Sequence, residues 1–124
     1  MYMGRNVAKT IYVIDDDLDM GVFLEIALSV AGYAPTVCTR VQAGGLTGHY
    51  DVALIDLMLA DDTNGVPVIE KLAALGIPVI CMTGLDADAP LVAAATEAGA
   101  CHILHKPFDL PKLRETLLHV LADK

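Results

Sequence analysis

Short apolar runs punctuate the chain, and between them apolar residues recur at helical spacing. The first strand is read over about Val7 to Ile14; its apolar end, Thr10 to Ile14, runs into Asp15, Asp16 and Asp17, as expected of a buried strand. A helix follows, capped by Asp17 or Asp19, with Val22, Ile26 and Val30 predicted on its buried face and Gly32 at its end. Pro35 to Thr39 reads as the second strand. Val41 to His49 reads as a weak helix, because Gly44, Gly45 and Gly48 each cost about 1 kcal/mol relative to alanine. The third strand, Asp51 to Asp56, leads into a loop, Leu57 to Gly65, and then a helix carrying Val66, Ile69, Leu72 and Leu75 that Gly76 and Pro78 stop. Ile77 to Met82 is the fourth strand, ending at Thr83 and Gly84. Asp86 or Asp88 is expected to cap the next helix, with Pro90 in its first turn and Gly99 at its close. The fifth strand, Cys101 to His105, runs into Lys106, Pro107 and Phe108; Asp109 caps a last helix with Leu110, Leu113, Leu117 and Leu121 on one face.

Five strands alternating with five helices predict an α/β fold, a single doubly wound domain whose parallel sheet has right-handed crossovers and helices on both faces. In such sheets functional groups collect at the carboxyl ends of the strands. Four of the five strands here end in polar groups: Asp15 and Asp16, Asp56, Thr83, and Lys106. If the first and third strands are neighbours, Asp15, Asp16 and Asp56 meet. Two unit charges about 4 Å apart repel by roughly 4 kcal/mol at an effective dielectric of 20, so three carboxylates so placed require a cation, and the arrangement calls for a metal.

Composition narrows the field. At 124 residues the chain has room for one core, and 55% hydrophobic residues suit a sheet covered on both faces. No apolar run approaches the roughly 18 residues of a membrane span, and no signal peptide opens the chain; the expectation is a cytoplasmic protein. A formal charge of -8 excludes a nucleic-acid footprint. Cys38, Cys81 and Cys101 lack CxxC spacing and lie in apolar stretches, which favours buried, reduced thiols over a metal or redox role.

The residues IDDD ending at Asp17, DLML from Asp56, MTG at Met82 to Gly84, and AGA followed by HKPF at His105 to Phe108 stand in order, each at a strand end. With them the chain resembles, over nearly its whole length, the receiver domain of two-component response regulators. The resemblance implies a flavodoxin-like (βα)5 fold with strand order 2-1-3-4-5; the receiver is expected over residues 1–124 with no output domain in view, either as a stand-alone receiver or as one domain of a longer regulator. It implies that Asp56 is the phosphoacceptor, taking a phosphoryl group from a histidine kinase or phosphotransfer protein. Asp15, Asp16, Asp56 and the Met58 backbone carbonyl would hold Mg²⁺, Lys106 would meet a phosphoryl oxygen, Thr83 would report the new group, and the Lys106 to Pro107 peptide would be cis. The output surface would be the fourth helix, fifth strand and fifth helix, Asp88 to Lys124, docking an effector or a second copy. Such a domain is a phosphoacceptor with at most self-phosphorylation and self-dephosphorylation activity, not a turnover enzyme.

Three features depart from the family pattern. Ala60 stands where proline is usual, and Gly65 comes nine rather than eight residues after Asp56. Ile103 replaces the aromatic residue often found three before the lysine, and Met58 and Leu85 occupy positions that influence hydrolytic water, where apolar groups are expected to slow self-hydrolysis. Blander roles are favoured elsewhere: capping or first-turn charge for Asp17 and Asp19, solvated loop charge for Asp61 and Asp62, and surface or partner contact for His49, His102, His105 and His119. Other classes remain open. Asp15 and Asp17 also fit the DxD start of a haloacid-dehalogenase-like phosphatase, with Asp15 as nucleophile; a flavin mononucleotide module would share the fold, although three aspartates would repel its phosphate; and a receiver-like interaction module would never be phosphorylated.

Overall fold

The computed structural model describes residues 7–40, 49–59 and 63–122. The helix expected over Val41 to His49 lies, His49 apart, outside the described residues, as do Ala60, Asp61 and Asp62. Within them the chain runs β1 (Thr10–Ile14), α1 (Leu18–Val30), β2 (Ala34–Cys38), β3 (Val52–Asp56), α2 (Val66–Ala74), β4 (Val79–Thr83), α3 (Pro90–Ala98), β5 (His102–His105) and α4 (Leu110–Leu121). All strand pairs are parallel, and the order across the sheet is β2-β1-β3-β4-β5. This is the flavodoxin-like arrangement expected.

Why these strands take the centre follows from their side chains. Every residue of β3 and β4 is buried, whereas the edge strands β2 and β5 are only partly so. Alternation along each strand then feeds two cores. Ile11, Val13, Leu54 and Met82 face α1 and α4, meeting Leu24, Leu28, Leu113 and Leu117. Tyr12, Ile14, Ile55 and Cys81 face α2 and α3, meeting Ile69, Leu72, Val92 and Ala95. At about 25 cal/mol per Å² of apolar surface removed from water, each fully buried large side chain contributes about 1.5–3 kcal/mol.

Several expectations need correction. Helix α1 buries Gly21, Leu24, Ala27 and Leu28, and leaves Val22, Ile26 and Val30 57%, 59% and 79% exposed. The helix is apolar on nearly all sides, so spacing alone did not choose the stripe. Packing chose it: a Cβ at Gly21 would lie 3.3 Å from Val37 Cγ1, so the glycine lets the helix sit close to β2. Strand β1 starts at Thr10, leaving Val7 to Lys9 exposed. Leu75 lies beyond the last turn of α2 and is exposed. Neither Asp86 nor Asp88 caps α3; Ala89 holds the cap position with no side-chain bond, because the residue before Pro90 is driven to the extended conformation it shows (φ -63°, ψ 139°). Asp17 and Asp109 cap as expected, accepting from the N–H groups of Asp19 and Met20 and of Lys112. Cys81 is buried, but Cys38 is half-buried and Cys101 exposed.

Candidate functional site

The sheet order reverses at β1, since the chain steps outward to β2 and then returns to place β3 on the other side. The crevice at the carboxyl ends of β1 and β3 is therefore the switch point where a doubly wound sheet binds its ligands. Asp15 follows β1 with no exposed surface, Asp56 ends β3 at 6% exposure, and Asp16 faces solvent. One carboxylate oxygen from each of the three lies within 4.8 Å of the others, a cluster of hard oxygen donors able to hold a metal ion.

The charge is partly balanced by the chain itself. Lys106, placed just past β5, extends its Nζ to Asp15 Oδ2 at 2.9 Å and to Asp56 Oδ2 at 3.3 Å. The Lys106 N–H donates to the Thr83 carbonyl at 2.7 Å, which ties the lysine to the end of β4; the Lys106–Pro107 bond is cis. The other oxygens are held locally. Asp15 Oδ1 accepts from the Asp17 N–H at 2.9 Å, and Asp56 Oδ1 from the Met58 N–H at 3.3 Å. Burial pushes the Asp56 carboxyl up to about 6, with the Asp15 charge adding to the effect and Lys106 opposing it. Burial alone would lower Lys106, but the hydrogen bond to Asp15 and the two carboxylate charges outweigh it and raise its pKa.

Thr83 is buried at the end of β4, and its Oγ1 accepts from the Leu85 N–H at 3.0 Å. Met58 is exposed at 45% and Leu85 half-buried, on the loops that follow β3 and β4. The structure thus gathers Asp15, Asp16, Asp56 and Lys106 by direct proximity, with Thr83 at the end of the adjacent strand and joined to Lys106 by the backbone bond to its carbonyl. Asp17 stands apart from the carboxylate cluster as a cap. His102 and His119 rings lie 6.2 Å apart beside β5 and α4, away from the acids, and burial together with the His119 charge lowers the His102 pKa.

One residue with a structural claim on the site, Asn64, was not singled out by the sequence reading. The loop after Asp56 returns as a short antiparallel bridge, Met58 opposite Asn64, held by Gly65 N–H to Leu57 O at 2.8 Å and Leu59 N–H to Thr63 O at 2.7 Å. Asn64 Oδ1 then accepts the Val66 N–H at 2.9 Å at the start of α2. A polar residue followed by glycine directly ahead of a helical run was the available signal.

The model of the response regulator receiver domain matches residues 11–118. The chain belongs to this family. Among relatives, it is 32% identical over 108 residues to the probable transcriptional regulatory protein SilR of Salmonella typhimurium, covering 83% of this chain and 46% of that one. It is likewise 32% identical to the transcriptional regulatory protein FixJ of Bradyrhizobium diazoefficiens, covering 83% and 52%. This receiver domain therefore spans about half the length of these relatives. Among solved structures, a CheY-like receiver domain protein from Methanospirillum hungatei superimposes with a TM-score of 0.84 at 25% identity, over 94% of this chain and 96% of that one. Full-length FixJ from B. japonicum gives 0.77 at 29% identity, over 93% and 58%. No helix among the described residues of the receiver domain is long and apolar enough to cross a membrane.

Proposed function

We propose that this receiver domain accepts a phosphoryl group on Asp56 from the phosphohistidine of a kinase or phosphotransfer protein and relays the event to a partner in the cytoplasm. The observation that carries the reading is the buried Asp56 carboxylate bracketed by Asp15 and Lys106 at the switch point. A carboxylate oxygen of Asp56 attacks phosphorus; the new O–P bond forms as the N–P bond breaks, and the imidazole nitrogen leaves with the electron pair and takes a proton from water. Asp15, Asp16, Asp56 and the Met58 carbonyl would hold Mg²⁺, whose chemistry is to offset charge on the transferred phosphoryl oxygens. Met58 supports this assignment because neither its N–H nor its C=O takes part in the loop's two backbone bonds, and its N–H already turns toward Asp56.

Lys106 provides a point charge that can leave the carboxylates for a phosphoryl oxygen. Thr83, whose Oγ1 accepts from the Leu85 N–H, donates its hydroxyl to the same group by a small inward movement. An acyl phosphate carries nearly two negative charges and new acceptor oxygens where the carboxylate carried one charge, and moving a two-state surface from mostly off to mostly on takes about 5.5 kcal/mol of differential stabilisation. Several charge-assisted hydrogen bonds in a partly dry site supply that. The surface so moved is α3, β5 and α4, where Ile103 is half-buried and packs against the core of the α2 and α3 face. Switching here proceeds without an aromatic at that position, and its readout is binding of an effector or a second copy.

The test is chemical. Phosphoryl groups delivered by acetyl phosphate with Mg²⁺ and released by hydroxylamine mark an acyl phosphate, as expected. A hydroxylamine-stable product, or steady turnover of a phosphate ester, overturns the reading in favour of a hydroxyl acceptor or a phosphatase.

A further inference from the structure

We propose that Gly65 is a positioning residue for Asp56: its missing side chain lets α2 seat against the carboxyl end of β3, and that seating aims the acceptor carboxylate. The inference rests on the phosphoacceptor role of Asp56 proposed above. A Cβ at Gly65 would lie 2.5 Å from the Asp56 carbonyl oxygen and 3.1 Å from Ile55 Cγ2. The first distance is one that real side chains do not adopt, and the atom struck is backbone, which cannot swing aside as the end of a flexible side chain can. The constraint is space and not backbone conformation, since Gly65 has φ -83° and ψ -1°, accessible to any residue.

Both sides of the contact are fixed. On one side, Gly65 donates to Leu57 O at 2.8 Å and accepts from the Ile69 N–H at 2.9 Å, tying the loop's foot to the first turn of α2. On the other, Asp56 is held in the sheet between β1 and β4, with the Leu57 N–H bonded to Met82 O at 2.9 Å. A methyl at Gly65 must therefore push α2 and its loop outward or turn the Asp56 peptide. Either movement reaches the Asp56 Oδ1 to Met58 N–H contact, because Leu57 and Met58 lie between the two points. The foot of the loop stands on two backbone bonds, from the Gly65 N–H to the Leu57 carbonyl and from the Leu59 N–H to the Thr63 carbonyl.

Gly99 supplies a control. It ends α3 at φ 119°, and a Cβ there would lie 2.6 Å from Ala73 Cβ, so Gly99→Ala also forces packing apart, but between α2 and α3 and away from the carboxylates. Wild type, Gly65→Ala and Gly99→Ala are compared for phosphoryl incorporation from acetyl phosphate under excess Mg²⁺, for Mg²⁺ affinity from amide NMR shifts of Asp15 to Asp17 and Met58, and for Tm. A misplacement of a reacting group by about 1 Å costs on the order of 10²-fold in rate. Gly65→Ala is expected to lose about 10-fold to 100-fold in incorporation rate and to bind Mg²⁺ more weakly, while Gly99→Ala loses stability and keeps both. Wild-type rate and affinity in Gly65→Ala overturn the proposal, as do losses in both variants that simply track Tm. If wild type binds Mg²⁺ without taking up phosphate, the acceptor reading fails and the affinity arm still decides whether Gly65 positions the cluster. If wild type does neither, both readings fall.

Discussion

The two ends of β3 each carry an aspartate in contact with a neighbouring strand or loop, and they are built to opposite purposes. At the amino end, Asp51 Oδ2 accepts from the Thr10 N–H at 2.8 Å and from Thr10 Oγ1 at 3.2 Å, while its own N–H donates to the Thr10 carbonyl at 2.9 Å. These three partners belong to one residue of β1, whose hydroxyl also reaches the His49 carbonyl at 3.3 Å. At the carboxyl end, Asp56 is more deeply buried, yet it faces another carboxylate, a single N–H at 3.3 Å and a lysine shared with Asp15. The first aspartate is consumed in holding β1 beside β3. The second is held in a costly state, buried beside Asp15 and balanced only in part by Lys106. Residue type is the same; the exchangeability of the partners separates structure from chemistry.

The sharpest way to break this comparison is to remove the shared cation. Lys106→Ala leaves Asp15 and Asp56 buried side by side without their lysine, and the expected cost is about 2–3 kcal/mol at pH 7.5. Denaturant titration checks it, and added Mg²⁺ should restore more stability to the variant than it adds to wild type. At the other end, Asp51→Ala leaves the Thr10 N–H without its carboxylate acceptor and should cost about 1–2 kcal/mol. Its phosphoryl incorporation should stay at the wild-type rate; a matching loss of rate would mean the two ends are not separable.

Asp56→Asn should do the reverse of Asp51→Ala and stabilise the fold. The Asp56 pKa is raised to about 6 in the folded protein, above the ordinary value of about 3.9, so its contribution is present below the ordinary value and is lost as pH rises through about 6. The variant should therefore be more stable than wild type by about 1–3 kcal/mol at pH 7.5. That advantage should vanish as pH falls below about 4, as urea midpoints across this range would reveal. Phosphorylation by acetyl phosphate should likewise weaken as pH falls through about 6, where Asp56 takes up its proton. The smallest effect expected concerns Met58 and Leu85. If these apolar groups screen the acyl phosphate from water, Met58→Asn and Leu85→Glu should shorten its lifetime by a few-fold, on the order of 1 kcal/mol in the hydrolysis barrier; a much longer lifetime in either would contradict the screening.

The carboxyl-end residues were legible in the sequence because each stands at the boundary of a uniform apolar run, where the change from buried to exposed chain is abrupt. Asp15, Asp56 and Thr83 needed only that boundary and a parallel sheet to be placed together, and the resemblance supplied the order 2-1-3-4-5. The Asp51 to Thr10 lock was not legible, since its partners lie 41 residues apart and neither type is unusual at a strand start. Helix α1 misled because Val22, Ile26 and Val30 form as regular a stripe as Leu24 and Leu28, and only the close approach at Gly21 decides between them. Gly65 was visible as a count of residues after Asp56 but not as a contact, because the carbonyl it makes room for becomes its neighbour only when α2 docks.

The central claim, that Asp56 is the exchangeable member of the pair, is tested most directly by intact mass after incubation with acetyl phosphate and Mg²⁺, on wild type, Asp56→Asn and Asp51→Asn. The account predicts one added phosphoryl group on wild type and on Asp51→Asn, dependent on the metal, and none on Asp56→Asn. An adduct that persists in Asp56→Asn would place the chemistry on another side chain and contradict it.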